Sequence, residues 1–279
     1  MVVEVVAGLV AGSLALLSDA AHMLTDAGAI ALALVAARLA VRPPGGAFTF
    51  GLRRAEILSA QINGAVLLAL ALVIAVDAVR RLSDPPDVEG GLVVVVGVLG
   101  AAVNVAAAWS LARADRRSLN VEGARMHVLA DLFGSIGAIT AGLVVLATGF
   151  DRADPIAALV VAALMLRSSW QLLRESGRVL LEAAPRGLDP REIGEALAAH
   201  PAVREVHDLH VWEVTSGFPA LAAHVMVPSG ADCHAARREL QTLLETRFDI
   251  RHTTLQVEHE PDSPLIDIAT GPVSRRARD

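Results

Sequence analysis

Five apolar runs dominate the first two thirds of this chain, and they constrain its fold more than any other feature. They extend from Ser13 to Ala40, Ala55 to Val79, Gly91 to Ala112, Val121 to Phe150 and Pro155 to Leu173. A helix crossing the hydrocarbon core of a bilayer needs about 20 apolar residues, so each run is long enough to span. The breaks between them are the segments "RPPGG", "RRLSDPPDVEGG", "RADRRSLN" and "DRADP", which carry the prolines, glycines and charges that end helices. Ahead of them, "MVVEVVAGLVAGS" is apolar but too short to cross. It reads as the second half of a further span that ends at a Gly12-Ser13 turn. It is not a signal peptide, because a basic n-region is missing and Glu4 interrupts it.

Arginine placement orients these spans. All the basic residues are Arg, and they concentrate in two loops, at Arg38, Arg42, Arg53 and Arg54 and at Arg113, Arg116 and Arg117. The positive-inside rule puts both loops in the cytoplasm, and with them the segment after Leu173. The net charge of −6 and the absence of a basic stripe with interleaved aromatics argue against nucleic acid as a partner. The lipid bilayer is the partner that composition does imply. One cysteine, Cys233, excludes an intrachain disulfide and a multi-cysteine metal cluster.

Ionisable side chains inside a span cost roughly 2.5–3.5 kcal/mol on insertion scales, so their positions are informative. His22 and Asp26 are four residues apart and stack on one helix face. His127 and Asp131 repeat that H-x-x-x-D spacing on a second apolar helix. Together these side chains offer two imidazoles and two carboxylates, a tetrahedral ligand set suited to Zn²⁺. The two carboxylates also neutralise the dication in a low-dielectric bundle. Cd²⁺, Co²⁺ and Fe²⁺ fit similar ligands. A single such pair would read as a structural polar contact; two copies inside membrane helices read as a metal site. Asp19 lies one turn before His22, near the outer end of the span, and its spacing leaves two roles open, a further metal-site group or a group that only solvates an entrance. Asn104, Gln61 and Asn63 read as interhelical hydrogen-bonding groups, and Asp77 as a partner for Arg80 or Arg81.

The stretches "GSLALLSDAAHMLTDAG", "FTFGLRRAEILSAQING", "NVEGARMHVLADLFGSIGAI" and "DPIAALVVAALMLRSSWQLLRES" resemble the cation diffusion facilitators, and within them the zinc-transporting branch. The later "VREVHDLHVWEVTSG" and "HTTLQVEHE" are similar too. The resemblance implies a six-span α-helical bundle, its first span incomplete here, with a small α+β ferredoxin-like domain in the cytoplasm. It also implies proton-coupled efflux of divalent metal, a homodimer, and location in the inner (plasma) membrane. His22, Asp26, His127 and Asp131 match its transport-site motif residue by residue. Phe48 stands where many relatives have His, which removes an auxiliary metal site from that loop.

The boundaries expected are a transport domain over 1–175, a linker over 176–188, a cytoplasmic domain over 189–262 and a disordered tail over 263–279. In the cytoplasmic part, apolar–polar alternation and turn residues give the order helix, strand, strand, helix, strand, with "TSGFP" as the hairpin connection. That order suits a split ferredoxin-like unit. Of its histidines, the resemblance implies that His207 and His224, with Glu258, bind cytoplasmic Zn²⁺ on three adjacent strands. His234, beside Cys233, reads as a solvated helix start. Two other functions fit parts of this sequence. An intramembrane metallohydrolase would need a motif such as H-E-x-x-H, and none occurs, so the chain reads as a non-enzyme. A membrane-anchored zinc sensor would read zinc through the cytoplasmic domain and use the membrane part only as an anchor, so zinc binding without flux would mark it.

Overall fold

A computed structural model describes the backbone of residues 2–112 and 119–259; the side chains of residue 107 and residues 110–130 fall outside the described set. The arginine cluster at Arg113, Arg116 and Arg117 and the tail over 263–279 therefore lie outside the described residues. The chain forms two compact units, residues 1–177 and 178–279.

The first unit is helical: α1 (Val2–Ala11), α2 (Leu14–Ala40), α3 (Ala55–Ser83), α4 (Gly90–Ala112), α5 (Leu119–Thr148) and α6 (Ala153–Leu180). The five expected spans are α2 to α6. Helices α2, α3 and α6, and the part of α5 from Asp131, are long and apolar enough to cross a membrane, and α4 is apolar over Gly90–Ala106. α6 runs about two turns beyond Leu173, because "QLLRESGRVL" stops being apolar there without ceasing to favour a helix. Large apolar side chains such as Ile30, Leu34, Val73, Val103, Phe133 and Trp170 point outward. So much exposed hydrocarbon is what a lipid-facing surface requires.

Inside the bundle, small residues let helices approach. A Cβ on Gly142 of α5 would lie 2.9 Å from Val94 Cγ2 and 3.0 Å from the Gly90 carbonyl oxygen of α4. Two apolar clusters fill the bundle, one around Leu16, Val93, Val96 and Val145, the other around Leu14, Leu67, Ile74 and Met165. Two of the polar residues assigned to interhelical hydrogen bonds, Asn104 and Gln61, make them. Asn104 Nδ2 donates to Ser135 Oγ at 3.4 Å. The Ser176 hydroxyl donates to Gln61 Oε1. Arg81 Nε pairs with Asp77 Oδ2 at 3.0 Å, one helical turn away.

The second unit contains α7 (Pro190–Ala198), β1 (Glu205–Glu213), β2 (Pro219–Val227), α8 (Cys233–Phe248) and β3 (His252–His259). The sheet order is β1-β2-β3, with β1 antiparallel and β3 parallel to β2, so β2-α8-β3 is a crossover unit. Leu221, Ala223, Val225 and Val227 alternate onto one face and bury against Ile193, Leu197, Leu240 and Leu244 of the helices. The opposite face carries His224 and Met226. Thr215 and Phe218 close the hairpin where "TSGFP" places it, with Phe218 N donating to the Thr215 carbonyl at 2.9 Å.

Asp189 caps α7 and Asp232 caps α8, each accepting from backbone N–H groups of the first turn. The Ala235 N–H holds the Asp232 carboxylate below its ordinary value of 3.8, aided by that of His234. A carboxylate depressed on folding stabilises above its unfolded value and loses that contribution as pH falls through the folded one. Asp232→Ala is therefore expected to lower the melting temperature of this domain by a few degrees at neutral pH. The gap should shrink as the pH is taken below 3.8, which thermal melts across an acid series would read.

Candidate transport site

α2 and α5 bring the intramembrane ionisable groups together. His22 Nδ1 lies 2.5 Å from Asp26 Oδ2, as the four-residue spacing on α2 requires. Asp131 of α5 joins them: a ligand atom from each of His22, Asp26 and Asp131 lies within 4.8 Å of the other two. One imidazole nitrogen and two carboxylate oxygens thus converge within 4.8 Å of one another, close enough for small side-chain shifts to bring them onto one dication. The side chain of His127, one turn before Asp131 on α5, lies outside the described residues. All three described groups are half-buried.

Asp19 is buried, which does not suit a solvated entrance. It is 9% exposed and packs against α5, where a Cβ on Gly134 would come within 3.1 Å of Asp19 Oδ1. Glu4 of α1 is 8% exposed, and a Cβ on Gly100 would come within 3.2 Å of its Oε1. The glycines of α4 and α5 thus make room for carboxylates as well as for helix contact. Glu4 was visible in the sequence only as an oddity in an apolar start; its burial depends on α4.

In the second unit the structure joins His207 and His224, which face each other across β1 and β2 with ring centroids 5.3 Å apart. The third group beside them is Asp208: ligand atoms of His207, Asp208 and His224 lie within 4.8 Å of one another. Glu258 is not in that cluster. The β2–β3 register puts Gln256 opposite His224 and Glu258 opposite Met226, and the Glu258 carboxylate accepts a hydrogen bond from Gln256 instead. Asp208 reaches the site through a bulge in β1 between His207 and His210, where it takes a left-handed φ of 47°. A sign of that bulge exists in the sequence. Val206, Leu209 and Val211 all pack on the core, and the odd step from 206 to 209 breaks strict alternation. Asp208→Asn is therefore expected to weaken cytoplasmic metal binding by about 10-fold, and Glu258→Gln to change it little. Calorimetric titration of an Asp131→Ala background, with the membrane ligands disabled, would read the difference.

Residues 1–181 match the family described as the cation efflux transmembrane domain, and residues 185–260 match the cation efflux protein cytoplasmic domain. The chain belongs to the cation efflux family. The resemblance to cation diffusion facilitators is thereby borne out, as is the multi-pass membrane architecture with a cytoplasmic C-terminal domain. Among its relatives is the zinc transporter ZitB of Escherichia coli (strain K12), 41% identical over 263 residues that cover 94% of this chain and 84% of the relative. The cadmium, cobalt and zinc/H(+)-K(+) antiporter of Bacillus subtilis (strain 168) is 36% identical over 284 residues, covering 100% of this chain and 91% of the relative. The metal cation efflux system protein CzcD of Cupriavidus metallidurans is 40% identical over 262 residues, 94% of this chain and 83% of the relative. A solved metal-bound C-terminal domain of the CzcD transporter is 36% identical to this cation efflux protein. It covers 25% of this chain and 99% of that chain, with a TM-score of 0.25.

Proposed function

We propose that this cation efflux protein exports Zn²⁺ from the cytoplasm in exchange for protons, through a tetrahedral site of His22, Asp26, His127 and Asp131. The observation that carries the reading is the convergence of His22, Asp26 and Asp131 from two helices inside an apolar bundle. Each of these ligands binds metal in its deprotonated form, so metal entering displaces protons and protons returning displace metal. An unperturbed imidazole titrates near pH 6.5, which lets that exchange run close to neutrality. The absence of thiolates from the ligand set keeps affinity moderate, as release requires. Alternating access then exposes one site to the two sides in turn. The bundle is a carrier and not an enzyme, since four protein ligands leave no open metal position for substrate. Two copies pair through their cytoplasmic domains, where Zn²⁺ binds the His207–His224 cluster.

Reconstituted vesicles loaded with a pH-sensitive dye test this directly. Zn²⁺ uptake accompanied by proton release is the expected result. Zn²⁺ uptake with no change in internal pH would contradict the exchange. Zn²⁺ binding with no flux would favour the anchored sensor.

A further inference from the structure

The start of α2 is held by a carboxylate from the far end of the bundle sequence. Ser13 is its N-cap, with φ −82° and ψ 118°, and follows a turn at Gly12, whose φ of +66° a side chain would strain. The first N–H groups of any helix lack internal partners. In α2, Leu14 N donates to Asp154 Oδ2 at 2.7 Å, and Ala15 N reaches Asp154 Oδ1 and Oδ2 at 3.3 and 3.4 Å. Leu16 N is taken by Ser13 Oγ at 3.2 Å, and that hydroxyl in turn donates to Asp154 Oδ1 at 2.5 Å. Asp154 belongs to the first turn of α6 and is 1% exposed; Ser13 is fully buried. Both carboxylate oxygens are therefore committed to the beginning of a helix some 140 residues earlier in the chain.

The same corner is held from two other directions. Arg81 of α3 donates through its guanidinium to the Gly12 carbonyl at 2.8 Å, and Glu89 N donates to the Ala11 carbonyl at 3.1 Å. Beyond the corner, α2 is far less engaged. Its buried residues are Leu14, Ala15, Leu16, Ser18, Asp19 and Ala20, and then only Ala36. His22 and Asp26 sit immediately past this anchored stretch. At about 1.5 Å of rise per residue, they lie roughly 12 and 18 Å along the axis from Leu14. Their height relative to Asp131 of α5 is thus set at the Asp154 end. A slip of α2 by one turn, about 5.4 Å, would exceed the 4.8 Å within which the three ligand groups meet.

We infer that Asp154 is a positioning residue for metal transport: its carboxylate caps α2 across the helix interface and thereby holds His22 and Asp26 level with Asp131. The inference rests on the reading of those three residues as the transport site. It requires two acceptor oxygens, which Asn lacks, and it assigns Ser13 a supporting role through the hydroxyl that bridges the cap and the carboxylate.

The test uses the full chain in vesicles, with Zn²⁺ and Cd²⁺ as the transported ions. Asp154→Asn is expected to raise the KM for Zn²⁺ by about 10-fold, the scale on which loss of an orienting partner weakens a metal site. It should also change the Cd²⁺/Zn²⁺ flux ratio, because a loosened ligand set discriminates less by size. Ser13→Ala should shift both in the same direction by less. A purely structural role would lower the amount of folded carrier, reducing Vmax for the two metals equally while leaving KM and the ratio alone. The exchange variant Ser13→Asp/Asp154→Ser returns a carboxylate to the N-cap of α2 and should restore the wild-type KM.

Wild-type KM and flux ratio in Asp154→Asn would overturn the inference. So would an exchange variant that is no better than Asp154→Asn, since the carboxylate would then act on something other than the cap. Where Asp154→Asn fails to fold, Ser13→Ala decides by the same two readouts. His22→Ala run in parallel separates this inference from the one beneath it. If His22→Ala transports normally, the site reading fails. If it is inactive while Asp154→Asn and Ser13→Ala keep the wild-type KM, only the positioning role fails.

Discussion

Replacing His22 with alanine is expected to lower Zn²⁺ flux by at least about 100-fold, the upper range that even an outer-shell partner commands. The imidazole supplies the described nitrogen ligand of the α2–α5 cluster, and its Nδ1 stands 2.5 Å from Asp26 Oδ2. Its removal leaves two carboxylates facing one another in an apolar bundle, where one must be neutralised. Asp131→Ala should be as severe for a different reason. It removes the α5 carboxylate from the His22–Asp26–Asp131 cluster, leaving His127 as the one proposed ligand on that helix. Because the two residues act on one ion, the double variant should be hardly worse than either single one. Vesicle uptake with radioactive zinc, normalised to folded protein, would read all three. Strictly multiplicative losses would show that the two residues do not share a metal.

The second large effect concerns the contact between α4 and α5. Gly142→Leu is expected to abolish the folded carrier, because even a Cβ there would meet the Gly90 carbonyl oxygen at 3.0 Å, and backbone cannot rotate out of the way. Overpacking of a well-filled core costs about 1–3 kcal/mol for a side chain that can still be fitted. A leucine between two helix backbones must separate them instead. α5 carries Asp131, so the transport site would be lost along with the contact. Gly137→Ala on the same helix is the control, since a Cβ there meets nothing within 4 Å among the described residues. Size-exclusion chromatography in detergent should give a monodisperse peak for Gly137→Ala and aggregate for Gly142→Leu. Equal behaviour of the two would contradict the packing argument.

The legible parts of this chain were those governed by local chemistry. Spans follow from apolar length alone, and the H-x-x-x-D repeats stand out because ionisable groups in a span are costly. The order helix, strand, strand, helix, strand read from alternation and turn residues is that of α7, β1, β2, α8 and β3. Features that depend on a distant partner were hidden. Asp154 reads as an ordinary helix-start acid until α2 is seen to begin on it. Glu4 is an oddity until α4 covers it. Asp208 was obscured by a bulge whose only trace is the odd step from Val206 to Leu209. Glu258 was named with His224 by the resemblance alone; strand adjacency does not specify register, and the register sets Glu258 opposite Met226.

Zinc K-edge absorption on a His207→Ala/His224→Ala variant, in which the cytoplasmic cluster is disabled, tests the central claim most directly. The account predicts one Zn²⁺ per chain in a four-coordinate shell of nitrogen and oxygen only, with the outer scattering of two imidazoles. Adding His22→Ala should abolish that signal. A zinc spectrum unchanged by His22→Ala would contradict it.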